Sequence, residues 1–94
     1  MSETTEDAPP ESLPQIDFGM FVMSLASSVL VYLGEIEHPD TQKPDPNVPL
    51  AKQTIDILGM LREKTRGNLT QEEAQMLDNL LYDLRMKYVD AKKR

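Results

Sequence analysis

The feature that most constrains this chain is the stretch FGMFVMSLASSVLVYL, residues 18–33, in which twelve of sixteen residues are apolar and none is charged. As a helix it reaches about 24 Å, short of the roughly 30 Å hydrocarbon core of a bilayer, so a membrane span fits it poorly. A helix that is apolar on every side belongs in a buried position. Two neighbouring helices cover such a cylinder only in part, and a second copy of the chain would cover the rest.

Both ends of this stretch carry boundary signals. Asp17 offers an N-cap carboxylate at the positive end of the helix, and Gly34 suits the left-handed position after the last turn. Ser24, Ser27 and Ser28 lie inside the stretch. Their expected role is small-residue packing, with each hydroxyl bonded back to a carbonyl one turn earlier.

The chain has 94 residues, no cysteine and a net charge of −6, which allows one domain and excludes disulfides and thiolate metal sites. The charge is unevenly placed. Residues 1–16 carry four acids, three prolines and no Lys or Arg, a composition that reads as a disordered acidic tail. That start lacks the charged and apolar regions of a signal peptide, and none is expected. Residues 17–92 form the expected helical domain, with its acidity concentrated in the connecting segment. A helical body near neutrality argues against a broad nucleic-acid surface.

Residues 34–48, GEIEHPDTQKPDPNV, contain Pro39, Pro44 and Pro46 and read as a long linker. That length is unusual between helices and leads to the expectation that the linker wraps across a surface or a partner subunit. His38, the one histidine, sits in this segment and reads as a loop residue.

A second helix is expected over residues 49–66, with Pro49 in its first turn. Leu50, Ala51, Thr54, Ile57, Leu58, Leu61 and Thr65 gather on one side, with Lys52 and Asp56 opposite and paired four residues apart. Gly59 in the middle costs about 1 kcal/mol relative to Ala and points either to close approach of another backbone or to an unexploited surface position. A third helix is expected over residues 71–91. Its Ala74, Leu77, Leu81, Leu84, Tyr88 and Ala91 form a heptad-like seam, and Tyr82, Met86 and Val89 form a second apolar stripe on the far side.

Between these helices lies EKTRGNLTQEE, residues 63–73. Asn68-Leu69-Thr70 fits a glycosylation sequon, but every position has a structural reading. Lys64 and Arg66 complement the negative helix end, and Gly67 takes a left-handed conformation directly after the helix. Thr70 and Glu73 form a capping box, and Leu69 can pack on Ala74 as a hydrophobic staple. Gly67, Asn68, Thr70 and Glu73 are thus the expected turn and cap of an antiparallel hairpin.

The same residues hold no evident reaction centre. There is no glycine-rich phosphate loop, dinucleotide fingerprint or metal-ligand spacing, and no cofactor is implied. Glu72, Glu73, Asp78 and Asp83 fan around a polar helix face. Met20, Met23, Met60, Met76 and Met86 are ordinary core fillers or adaptable surface groups. The terminal AKKR serves the helix end or solubility.

Three stretches, DFGMFVMSLASSVLVYLGEI, PLAKQTIDILGMLREKTRGNLTQEE and LLYDLRMKYV, together resemble the small bacterial proteins grouped as domain of unknown function 1844. The resemblance covers nearly all of residues 17–89. It implies a small, helical, cytoplasmic bacterial protein and supplies no catalytic residue, cofactor or partner.

The resulting expectation is an all-α, three-helix protein: an apolar first helix over 17–33, a proline-rich linker, and an antiparallel hairpin, completed by oligomerisation. Its expected role is a non-enzymatic interaction module, a dimer or tetramer that binds another protein. The expected contact residues are Phe18, Phe21, Val22, Leu25, Val29 and Tyr32 of the first helix, with Tyr82, Met86 and Val89 of the third. One alternative is a ligand-binding or accessory enzyme subunit, with a site at the oligomer interface near Tyr32, Lys52, Asp56 and the linker. A weaker one is nucleic-acid association through Arg62, Lys64, Arg66 and the basic C-terminus.

Overall fold

A computed structural model describes residues 15–93. The acidic segment expected to be disordered therefore lies outside the described residues, apart from Gln15 and the exposed Ile16. Three α-helices follow in order: α1, Phe18–Tyr32; α2, Val48–Lys64; α3, Gln71–Lys92. All three pairs of helices pack on one another.

Each helix starts on a side chain that accepts an otherwise unpaired backbone N–H. Asp17 Oδ1 accepts from Met20 N–H at 2.8 Å at the head of α1. At its tail Gly34 has φ 81°. The Gly34 N–H donates to the Val31 carbonyl at 3.0 Å and the Glu35 N–H to the Leu30 carbonyl at 2.9 Å, the paired closure that a left-handed residue permits.

The segment 34–47 then turns back on itself. The Asn47 N–H donates to the Tyr32 carbonyl at 2.7 Å, so the chain returns to the place where it left α1. His38 braces the interior of this loop. Its backbone N–H donates to the Lys43 carbonyl at 3.0 Å, and its Nδ1 accepts the Asp40 N–H at 3.1 Å. These bonds tie the segment to its own start and to the end of α1.

The second helix begins one residue earlier than Pro49 alone implied. Asn47 Oδ1 accepts the Leu50 N–H at 3.2 Å, Val48 is the first helical residue and Pro49 the second. Both positions lack an intrahelical partner for their N–H, so proline is tolerated at either. The C-cap is Thr65, whose hydroxyl donates to the Leu61 carbonyl at 2.6 Å. Gly67, with φ 82°, thus stands two residues beyond the cap rather than directly after the helix. The reciprocal box at α3 is as expected. Thr70 Oγ1 accepts the Glu73 N–H at 3.1 Å, and Glu73 Oε1 accepts the Thr70 N–H at 2.9 Å.

The core lies along the axis shared by the three helices. Val22, Ala26, Val29 and Leu33 close it from α1, Ala51, Ile55 and Leu58 from α2, and Leu77, Leu81, Leu84 and Ala91 from α3. The α3 seam matches its expected heptad. The buried face of α2 matches in part: Ala51, Thr54 and Leu58 of the expected arc are buried. Ile55, 3% exposed, belongs to the core, while Ile57 and Leu61 are only half-buried. The inward face is rotated by about 50° from the arc drawn on sequence, because α2 must meet α1 and α3 together. Thr54 is the buried polar residue of the set, and its hydroxyl is satisfied by the Leu50 carbonyl at 2.9 Å.

Candidate interaction surface

The residues expected to make intermolecular contacts divide three ways. Val22 and Val29 are fully buried within the chain itself, so they are core residues and present nothing to a partner. Phe18, Leu25 and Tyr32 are half-buried and pack against the edge of that core. Phe21 is 42% exposed, beside Met20 and Met23 at 41% and 47%, two residues absent from the expected set. The helix is apolar all round, as read, but its own hairpin covers one stripe and leaves another open. Inside it, Ser24 Oγ donates to the Phe21 carbonyl at 2.7 Å and Ser28 Oγ to the Ser24 carbonyl at 3.2 Å, the back-bonding expected of all three serines, while Ser27 is exposed and makes no such bond.

The stripe on α3 is exposed as a unit. Tyr82, Met86 and Val89 are 68%, 51% and 46% exposed. They line a groove of about 450 Å³ between α2 and α3, whose opposite wall includes Gly59 and Arg62. A Cβ placed on Gly59 would lie 3.1 Å from Nη2 of Arg85. The close neighbour at Gly59 is thus a guanidinium lying over the bare backbone, and not a second backbone. A separate groove of about 530 Å³ runs on the other side of α3, where Met23 of α1 meets Met76 and Leu80 beneath Glu72 and Asp83. Phe21 lines neither groove. The two expected halves of the contact surface are therefore distinct surfaces.

The charges around the first groove are already matched. Arg62 Nε donates to Asp78 Oδ1 at 2.6 Å and Nη2 to Oδ2 at 3.3 Å, a two-point clamp between α2 and α3. The hydrogen bond from Arg62 holds the Asp78 carboxyl below the usual carboxylate range and raises the guanidinium in turn. Arg66 Nη2 donates to Glu63 Oε2 at 2.7 Å, which lowers the Glu63 carboxyl in the same way. This pairing commits Arg62 and Arg66, two of the residues considered for nucleic-acid contact, to carboxylates of the same chain.

Of the residues considered for a ligand site, Lys52 and Asp56 are paired with each other, Nζ to Oδ2 at 2.7 Å, in solvent. The hydrogen bond that Lys52 donates to Asp56 is the main cause of the raised Lys52 pKa. Among the described residues no group of three or more His, Asp and Glu could hold a metal ion, and no helix is long and apolar enough to cross a membrane. At the hairpin corner, Gly67, Asn68, Thr70 and Glu73 occupy the turn and cap, and Leu69 is half-buried against the core.

Sequence reasoning missed the Arg62–Asp78 clamp. One signal for it exists: the two residues stand eight positions to either side of the Thr70 cap, so a tight antiparallel hairpin brings them level.

These features define a small all-α protein in which a three-helix core carries open apolar grooves on both sides of its last helix. Residues 15–90 match the family model described as Domain of unknown function (DUF1844), and the chain belongs to that family. No curated protein matches the chain, and no solved structure does.

Proposed function

We propose that this protein is a helical interaction module that associates with itself and presents an apolar groove for protein contact. One observation carries this reading. The core closes without Tyr82, Met86 and Val89, yet these three large apolar side chains stand about half exposed or more along one line of α3. Scattered apolar side chains need no explanation, but a contiguous line of them along a groove is what an interface requires. The further exposure of Met20, Phe21 and Met23 on α1 supports the same reading.

Sedimentation velocity of the full chain at micromolar concentration tests it. The expected species is larger than a monomer, and the double substitution Tyr82→Lys/Met86→Lys returns it to the monomer with helical circular dichroism unchanged. A wild-type protein that stays monomeric at these concentrations ends this reading.

A further inference from the structure

The outer stripe of α3 reads nearly the same in both directions. Asp78, Tyr82, Arg85, Met86, Val89 and Lys93 are spaced by four, three, one, three and four residues. At 100° per residue all six fall within an arc of about 100°, on one side of the helix. The first five line the groove between α2 and α3. Lys93, the C-cap of α3, is exposed at its far end.

Reversal of the stripe exchanges the acid Asp78 for the base Lys93 and apolar Tyr82 for apolar Val89, and at its centre sets Arg85 in the place of Met86. We infer that the groove receives the α3 helix of a second copy of this chain, antiparallel, on a twofold axis that passes between Arg85 and Met86. This inference rests on the self-association proposed above and adds the surface, the direction and the register. On that axis Tyr82 lies opposite Val89 of the second copy, Met86 opposite Arg85, and Asp78 opposite Lys93. An isologous contact of this kind requires a patch that is complementary to itself, and the palindromic spacing supplies it. A parallel pairing would instead set Asp78 against Asp78 and Lys93 against Lys93, which like-charge repulsion disfavours.

Charge near the axis is the obvious objection, since two Arg85 residues approach there. The geometry around Gly59 answers it. The Arg85 guanidinium lies over Gly59 on its own α2, where the missing Cβ leaves room for it. The cation is therefore drawn toward its own chain, leaving the Tyr82, Met86 and Val89 side chains to meet the partner. The Arg62 clamp holds Asp78 at the edge of the groove, where its side chain remains 55% exposed and open to a second cation.

The chain has no cysteine, so a single introduced thiol reports on one position alone. In the full-length protein, Met86→Cys stands beside the axis, and mild oxidation should convert most of it to a disulfide-linked dimer. Asp78→Cys should not cross-link by itself, because the register sets its two copies about 22 Å apart along the helices. The double variant Asp78→Cys/Lys93→Cys should cross-link readily. Without oxidation, Lys93→Glu should weaken the dissociation constant by about tenfold through two symmetry-related exposed pairs, and Asp78→Lys combined with it should restore most of that loss. Far-UV circular dichroism checks that each variant is folded.

A dimer in which Met86→Cys fails to cross-link, or in which Met23→Cys cross-links instead, overturns this register and leaves self-association standing. Loss of the dimer on removal of residues 1–14 would assign the groove to that acidic segment and also overturn it. A monomeric wild-type protein would remove the self-association reading itself, and the register with it.

Discussion

The Arg62 guanidinium grips both oxygens of the Asp78 carboxylate, one N–H to each, at 2.6 and 3.3 Å, and so ties the last turn of α2 to the second turn of α3. The pair sits level across the hairpin, and its charged form is favoured over the protonated acid. Asp78 titrates below an ordinary aspartate because it accepts the Arg62 hydrogen bonds, and Glu63 titrates low because of Arg66.

The sign of the pH effect follows from that depression. A carboxyl whose folded pKa is lowered stabilises the native state above its unfolded value, about 4, and loses that contribution as pH falls through the folded value. The urea midpoint of the wild-type protein should therefore drop between about pH 5 and pH 2 more steeply than that of Asp78→Asn. Both partners reach solvent, so the difference should be small and should shrink in high salt. Identical acid profiles for the two proteins would remove the clamp from the stability of the hairpin.

Gly67 tests the corner. Its φ of 82° is left-handed, and a Cβ there would meet nothing within 4 Å. The requirement is conformational rather than steric. Gly67→Ala should thus cost about 1–2 kcal/mol, the left-handed penalty of an L-residue, and Gly67→Val more because of its branched Cβ. In a domain of this size that corresponds to a melting temperature lower by roughly 4–15 °C. An unchanged melting temperature for Gly67→Val would show that the corner adopts another conformation at no cost.

The start of α3 depends on the Thr70 hydroxyl. Thr70→Ala removes the acceptor for the Glu73 N–H and should cost about 1 kcal/mol. Thr70→Ser keeps the acceptor and should cost much less. Denaturant titration of the three proteins separates the hydroxyl from the methyl group, and equal losses for both variants would mean that the cap is not what matters there.

Leu58 is fully buried in the middle of α2, where the core from all three helices meets. Leu58→Ala should destabilise by roughly 2–5 kcal/mol through lost burial and the cavity left behind. The half-buried Leu50 should give a clearly smaller loss on the same change. Equal losses at the two positions would contradict the placement of the core.

Gly59 offers a test with two readouts. Alanine is the better helix former by about 1 kcal/mol, and the atom its Cβ would meet is the mobile end of Arg85 at 3.1 Å. Gly59→Ala should raise the stability of the fold by up to that amount. It should also push the guanidinium off α2 and toward the proposed twofold axis, so the dimer should weaken as the fold strengthens. Calorimetry and sedimentation of one variant measure both, and a fold that loses stability would show that Arg85 cannot give way.

What was legible in the sequence was local or strongly periodic. Asp17, Gly34 and the Thr70–Glu73 box could be read because each motif acts within a few residues of itself. The α3 seam could be read because Leu77, Leu81 and Leu84 recur at alternating steps of four and three residues, which keeps them on one side of the helix. On α1 no charged residue marks an outside and three small serines mark it only weakly, so Val22 and Val29 could not be told from Phe21. On α2, Ile55 was missed because a helix wedged between two others buries a face centred between both contacts, and a single partner predicts a different one. The Arg62–Asp78 clamp joins two helices, and the equal spacing of its residues about Thr70 becomes a contact only through the tightness of the corner between them.

The bond from Asn47 to the Tyr32 carbonyl has a consequence for how this chain can be altered. Because the segment between them leaves and re-enters the helical body at one point, its contour length is nearly decoupled from the geometry of the three helices. Lengthening such a closed excursion costs only slowly growing entropy, about 0.6 kcal/mol for each doubling. The tip of that loop, around Thr41 and Gln42, is thus a natural insertion port: an epitope or a fluorescent reporter could be spliced in there while the core and both flanking grooves keep their shape.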